Sequence, residues 1–159
     1  MKNLYESLLD DFDTLADNSG INSAREEVMK FIMDHYSPWR SFTISKEPNK
    51  DGLFEVSCST GGDVVFRNPM RTPTLTNGLF KWTTVKGRFF AGRNKWLESL
   101  EGGPEYVGDD YVIAYNQKLT SLEGAPKTVD GDFLCFNCIK QFTEAEVKKH
   151  TKVKGKICV

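Results

Sequence analysis

The sequence is poor in the residues that mark several large protein classes. It has four cysteines and two histidines in 159 residues. Four cysteines are too few for a disulfide scaffold in a chain of this length, and reduced thiols suit a cytoplasmic protein. No apolar run approaches the roughly 18 residues of a membrane span, and the acidic N-terminal segment lacks the apolar core of a signal peptide. These absences predict a soluble cytoplasmic protein without a membrane partner.

An excess of charge of one sign is also absent. Lys and Arg number 21 against 22 acids, a formal net charge of −1, so the chain lacks the positive footprint of a general nucleic-acid binder. The two ends differ in sign, since residues 1–20 are acidic and residues 140–159 are basic. Two solvated helix faces explain this asymmetry, and a docking role for the basic end is the alternative. The overall balance favours a partner other than nucleic acid.

The chain does contain enough apolar residues for one core, 39% of the total. Apolar residues three and four apart predict an amphipathic helix over residues 3–17, and a second helix that opens with the capping box of Ser23 and Glu26. The period then changes to two, which predicts a β-hairpin around a loop at residues 49–52. The apolar residues of its strands are Phe42, Ile44, Phe54, Val56 and Cys58.

The second half of the chain repeats with a period of 22 residues. The aligned segments are 75–96, 97–118 and 119–140, and the last two have the similar sequences LESLEGGPEYVGDDYVIAYNQK and LTSLEGAPKTVDGDFLCFNCIK. Weaker matches at 62–66 and 153–159 extend the array to about five coils. A unit with one short strand and a turn cannot bury its own apolar side. The units are therefore expected to stack into a β-solenoid.

Equivalent positions of the repeat predict where side chains point. Strand alternation places Phe89, Tyr111 and Phe133 inward in one column. Gly102 and Gly124 are expected at tight bends with positive φ, which glycine adopts freely. Four leucines fill the return side of the coils: Leu97, Leu100, Leu119 and Leu122.

The repeat resembles known families. The spacing F-x-C-x-x-C at residues 133–138, equivalent to Y-x-I-x-x-N at 111–116, resembles the L-x-L-x-x-N/C core of leucine-rich repeats. The segment LTSLEGAPKTVDGDF is similar to a repeat of uncharacterised proteins of tailed phages and some bacteria. The resemblance covers residues 75–140. It implies an inward Asn or Cys that satisfies turning backbone groups, and an interaction scaffold without a family activity.

These patterns together predict an α+β protein. It has two N-terminal helices, a β-hairpin, and a short leucine-rich-repeat-like β-solenoid of about five coils with a C-terminal cap helix and strand. Residues 1–60 form the helices and hairpin, and residues 61–159 form the solenoid and its cap. The cap helix opens with a second capping box, Thr143 and Glu146.

Cys135 and Cys138 form a CxxC motif, a spacing found in zinc and redox sites. Their repeat equivalents are Ile113 and Asn116, which favours a structural role for both thiols. A zinc site would need two further ligands, and the two remaining cysteines do not form a second CxxC. We therefore expect no metal and no cofactor.

Candidate catalytic residues are scarce. His35 and His150 fall near predicted helix ends and have no nucleophile in a recognisable motif. The carboxylates of Asp109, Asp110 and Asp132 could form a pair for acid–base chemistry, but a chain with 22 acids is expected to have such pairs on a solvated face. The sequence predicts a protein without enzyme activity.

The outward strand positions contain the candidate binding site. An apolar row flanked by charges is unusual on a solvated leucine-rich sheet, so it needs a cover or a partner. Either the N-terminal helices pack on this face or a protein partner binds there. The candidate partner-binding residues are Arg88, Phe90, Asp110, Val112, Asp132, Leu134 and Phe136.

We therefore hypothesise a non-enzymatic protein–protein interaction module. It would be phage-encoded and would bind or inhibit a host protein, for example one of host defence, in the host cytoplasm. The alternative is a structural component of a virion or assembly. The sequence indicates no oligomeric state.

Overall fold

The computed structural model describes residues 19–38, 42–67 and 71–159. The first predicted helix, residues 3–17, lies outside the described residues. The elements in chain order are α1 (Ser19–His35), β1 (Tyr36–Pro38), β2 (Thr43–Ile44), β3 (Phe54–Cys58), β4 (Val64–Phe66), β5 (Phe80–Val85), β6 (Phe89–Phe90), β7 (Tyr106–Val107), β8 (Tyr111–Val112), β9 (Thr128–Val129), β10 (Phe133–Leu134), α2 (Glu144–His150), β11 (Lys152–Val153) and β12 (Ile157–Cys158).

The strands form two six-stranded sheets. Sheet A has the order β1-β4-β6-β8-β10-β12, and sheet B has the order β11-β9-β7-β5-β3-β2. Each repeat unit contributes one strand to each sheet, as β7 and β8 do on either side of a corner at residues 108–110. The expectation of one strand per unit was wrong, because strands such as β7 and β8 are only two residues long and the corner interrupts their alternation.

Neighbouring repeat units stack in parallel with the predicted register. Phe89 pairs with Tyr111, and Tyr111 pairs with Phe133. The last step, from Phe133 to Ile157, is longer because α2 replaces the return segment of the final coil. The chain is thus an α+β protein with a β-solenoid of about four turns, an N-terminal helix and a helix near the C-terminus. The predicted number of coils is close to the observed one.

The two ends of the solenoid differ. At the N-terminal end, β1 pairs antiparallel with β4, and β2 pairs with β3 in the predicted hairpin. Because β3 also pairs in parallel with β5, the segments 1–60 and 61–159 share a sheet and a core within their described residues. At the other end β11 and β12 are edge strands, and Lys152, Lys154 and Lys156 in and beside them are exposed.

Aromatic rings occupy the centre of the core. Phe89, Tyr111 and Phe133 are fully buried, and successive ring centroids are 5.6 and 5.2 Å apart, which confirms the predicted column. The four leucines predicted on the return side are buried as well. The bends contain the expected glycines with positive φ, Gly102 at 80° and Gly124 at 87°.

Helix α1 closes the N-terminal end of the core and contacts both sheets. Phe31 packs against Phe80 of β5 with 6.0 Å between ring centroids, and His35 stacks on Phe66 of β4 at 6.3 Å. Neither α1 nor α2, the helices of the described residues, has the length and apolar character needed to cross a membrane.

Of the two capping boxes predicted from the sequence, the one at Thr143 starts its helix and the one at Ser23 lies inside its helix. Helix α2 begins with the predicted capping box, in which the Thr143 hydroxyl accepts the Glu146 N–H at 3.2 Å. Helix α1 spans Ser19–His35 and so includes residues before the predicted box at Ser23. Ile21, which precedes the box, packs on the core and lengthens the apolar stripe.

Candidate functional site

The outward positions of sheet A form one apolar row across adjacent strands. Strand register aligns one residue from each of β4, β6, β8, β10 and β12: Val65, Phe90, Val112, Leu134 and Cys158. All five are half-buried, so each keeps part of its surface toward solvent. We call these five residues the outer row.

An apolar groove lies beside the outer row and has a volume of about 390 Å³. Three of the predicted binding residues line it, Phe90, Val112 and Phe136, whereas Leu134 extends the row on the next strand. The structure therefore brings the apolar members of the predicted site together. The described residues that line the groove are Phe90, Arg93, Val112, Ala114, Tyr115 and Phe136.

Helix α1 packs on the core rather than on the outer row. Its ring contacts are with Phe80 and Phe66, both of which are buried inward residues. A contact between the outer row and the predicted helix over residues 3–17 would involve residues that lie outside those described.

The acidic members of the predicted site hold neighbouring coils together. Asp110 accepts a hydrogen bond from the Asp132 N–H at 2.8 Å, and Asp132 accepts one from the Lys156 N–H at 2.7 Å. Asp63 accepts the Arg88 N–H at 2.9 Å in the same way. The Arg88 guanidinium also lies 3.6 Å from the Asp110 carboxylate. These carboxylates satisfy backbone donors at the corner, a role that their repeat spacing alone did not indicate.

Sequence reasoning missed the turn that follows the sheet A strands. Its residues Arg71, Arg93, Tyr115 and Asn137 recur at the repeat period and have positive φ angles of 59°, 60°, 63° and 55°. We call these four residues the left-handed turn column. Non-glycine residues rarely adopt this conformation, because the Cβ crowds the backbone. The repeat register was the signal that could have grouped them.

Two arginines of the left-handed turn column lie over aromatic rings. The Arg93 guanidinium is 5.3 Å from the Tyr115 ring centroid, and the Tyr115 ring meets Phe136 edge-on at 5.3 Å. The Arg71 guanidinium lies 5.0 Å from the ring of Trp96. Cation–π attraction thus holds Arg93 at the groove and Arg71 on the Trp96 ring.

The CxxC residues have structural roles. Asn116 Nδ2 donates to the carbonyls of Ile113 and Ala91 at 2.8 and 2.9 Å, and the equivalent Cys138 thiol donates to the Ile113 carbonyl at 3.3 Å. Cys135 is buried in the core, and burial raises the pKa of its thiol to about 12. Both thiols are therefore protonated near neutral pH. Across the described residues, no group of three or more His, Cys, Asp or Glu side chains could hold a metal ion.

The histidines lie away from the groove. His35 is 3% exposed and stacks on Phe31 with 4.1 Å between ring centroids. Burial lowers the pKa of its imidazole, which favours the neutral form. His150 is exposed on α2. The buried histidine therefore belongs to the packing of α1 on sheet A.

The outer face of sheet B is polar. Glu105 forms an ion pair with Lys81. Asp130 accepts the Tyr106 hydroxyl at 2.8 Å and lies 2.8 Å from Lys154 Nζ. Hydrogen bonds from the lysines, Lys81 and Lys154 respectively, are the main cause that lowers the pKa values of Glu105 and Asp130.

Two clefts with charged side chains in their walls are larger than the apolar groove. One, of about 650 Å³, runs along the return bends past Glu101 and Glu105, and the other, of about 490 Å³, lies between α1 and Arg71. Charged side chains line both clefts. The smaller groove is the better candidate for a protein anchor, because its walls are apolar and aromatic.

No family model matches this chain, and comparisons with curated proteins and with solved structures found no match either.

Proposed function

We propose that this chain is a non-enzymatic protein-binding module that uses the outer row and the adjoining groove. The observation that supports this function is the continuity of the apolar surface, because the row meets a groove of about 390 Å³. Apolar patches on otherwise polar proteins commonly mark interaction sites. Aromatic side chains such as Phe90 and Phe136 are frequent anchors of protein interfaces.

The reactive side chains support a binding role over a catalytic one. Asp110 and Asp132 accept backbone N–H groups, and Cys138 donates to a backbone carbonyl. Burial keeps the Cys135 thiol protonated. These engaged groups offer no free nucleophile or base beside the groove, so we propose no reaction.

We take the partner class from the resemblance of the repeat sequence to leucine-rich and phage repeats. Asn116 and Cys138 donate to the Ile113 carbonyl, the role that this resemblance implies for an inward Asn or Cys. The likeness to phage repeats points to a host protein, bound or inhibited in the host cytoplasm. A structural role in a virion or assembly is the alternative.

Affinity capture from a bacterial lysate tests the binding face. The full-length chain would be compared with the double variant Phe90→Ser and Phe136→Ser, and with Tyr106→Ser on sheet B as the matched control. All three substituted side chains are half-buried and point outward from a sheet or beside it. We expect a protein that is captured by the wild type and the control and is lost with the double variant.

Equal capture by all three proteins would contradict the proposal. Circular dichroism and melting curves establish that the double variant is folded. A high copy number of the chain in purified phage particles would favour the structural alternative instead.

A further inference from the structure

Arg93, which lines the groove, has no carboxylate partner among the described residues. Arg88 pairs with Asp110, and the Lys118 ammonium lies 2.9 Å from Glu98. The Arg93 guanidinium lies over the Tyr115 ring instead, so it presents an unpaired positive charge to the groove. Arg71, one repeat earlier, lies over the Trp96 ring and lines the separate cleft beside α1.

The backbone holds these arginines in an uncommon conformation. Arg71, Arg93 and Tyr115 have φ angles of 59°, 60° and 63°, which glycine adopts without steric cost. Large side chains nevertheless stand at this turn in three successive coils. Strained positions of this kind cluster at binding sites, where the side chain contributes to recognition.

The groove itself accepts an apolar group. Of the six described residues that line it, only Arg93 is charged, and the others are apolar or aromatic. Its volume of about 390 Å³ suits one large aromatic or branched side chain with its neighbours, near the lower end of the roughly 300–1,000 Å³ of ligand pockets. Tyr115 and Phe136 provide an edge-to-face wall for such a group.

We infer that the groove and Arg93 bind an acidic, apolar segment of a protein. A large apolar side chain of the segment fills the groove, and a nearby carboxylate pairs with Arg93. The inference rests on the proposed function and specifies the chemistry of the partner. The charge complementarity is local, because the whole chain has a net charge of −1.

Nucleic acid fits this surface less well. A phosphate backbone is bound by a continuous row of cations, but the next residues of the left-handed turn column after Arg93 are Tyr115 and Asn137. The carboxylates of Asp110 and Asp132 also stand at the start of the strands that carry the outer row. A segment with one acid close to a large apolar residue matches Arg93 and the groove.

Selection from a random 12-residue peptide display library on the immobilised full-length chain tests the inference. We expect enriched peptides with Asp or Glu within a few positions of Trp, Phe or Leu. A fluorescent copy of the most enriched peptide should bind Arg93→Gln at least 10-fold more weakly than the wild type, and Arg93→Lys should restore part of the affinity. Lys127→Gln on the sheet B side is the matched control and should leave the affinity unchanged.

The outcomes separate this inference from the proposed function. Enriched peptides that lack acids, or that bind Arg93→Gln normally, but lose binding to the Phe90→Ser and Phe136→Ser double variant overturn the inference and leave the proposed function standing. An absence of enriched peptides, or binding that survives the double variant, overturns both. Displacement of the peptide by oligo(dT) would overturn the inference in favour of nucleic acid. Displacement by a synthetic peptide of residues 1–17 would overturn it in favour of the chain's own acidic segment.

Discussion

The two outer faces of the solenoid come from the same repeat unit but differ in chemistry. On sheet B, Thr84, Tyr106 and Thr128 are aligned with Lys152 across four strands. On sheet A the corresponding row is apolar over five strands. Because stacked coils tolerate a polar row on one face, the apolar row on the other is not a requirement of the stacking. The apolar row is the surface on which the proposed binding function rests.

The inner side of sheet A should be far more sensitive to truncation than its outer side. Phe133 is fully buried in the aromatic column, so Phe133→Ala should lower the free energy of unfolding by about 3–5 kcal/mol. Leu134 is its neighbour on the outer row and is half-buried, so Leu134→Ala should cost about 1 kcal/mol or less. Urea denaturation of both variants measures the difference. Equal losses would mean that the two sides of β10 are not distinguished by burial.

The turn after sheet A should be the next most sensitive position. Asn116 is fully buried, and its side chain also accepts the Asn94 N–H at 2.8 Å. Asn116→Ala leaves buried backbone groups unsatisfied and should cost about 2–3 kcal/mol. Gln117 is exposed, and Gln117→Ala is the control, with a change expected within about 0.5 kcal/mol. An Asn116→Ala variant as stable as the wild type would show that the hydrogen bonds of the Asn116 side chain do not stabilise the turn.

Removing one tyrosine hydroxyl from each sheet should change the free energy of unfolding in opposite directions. The Tyr111 hydroxyl is buried and has no hydrogen-bond partner among the described residues, so Tyr111→Phe should raise the free energy of unfolding by about 1 kcal/mol. The Tyr106 hydroxyl donates to Asp130 on the outer face of sheet B, so Tyr106→Phe should lower that free energy slightly. Calorimetric melting of the two variants gives both signs. A loss of stability in Tyr111→Phe would show that its hydroxyl is satisfied.

The smallest effect is expected at the ion pairs of sheet B. Lys81 and Glu105 are both more than a third exposed, so Lys81→Gln should cost less than about 1 kcal/mol. Because the pKa of Glu105 is lowered from 4.5 in the folded state, its stabilisation is present above pH 4.5 and is lost as the pH falls through the lowered value. The melting temperature of the wild type should therefore fall more between pH 5 and pH 3 than that of Lys81→Gln. If the melting temperatures of the wild type and Lys81→Gln fell equally with pH, the Lys81–Glu105 ion pair would not contribute to stability.

The repeat predicted the stacking better than it predicted the strands. A period of equal segments identifies equivalent residues without any knowledge of backbone angles, and the column of Phe89, Tyr111 and Phe133 followed from it. Two-residue strands are too short to show alternation, so β7 and β9 were missed.

The candidate site was predictable only in its apolar part. Apolar residues at outward positions stand out in a sequence, as Phe90 and Val112 did. The positive φ of Arg93 could not be predicted, because arginine shows no preference for this conformation. The corner role of Asp110 was hidden for a different reason, since an acid that caps backbone groups and an acid on a solvated surface look alike in a sequence.

The lysines on the last coil affect whether a second copy of the chain can stack on the C-terminal edge of the solenoid. Strands β11 and β12 pair on one side only within the described residues, so their other backbone groups could template another chain. A repeat unit that stacks on itself is prone to end-to-end polymerisation into fibres. Lys154 is paired with Asp130, but the exposed Lys152 and Lys156 leave two like charges at this edge, so two such ends repel each other. At the opposite end α1 packs on the core, so we expect that the chain does not stack end to end into an open filament.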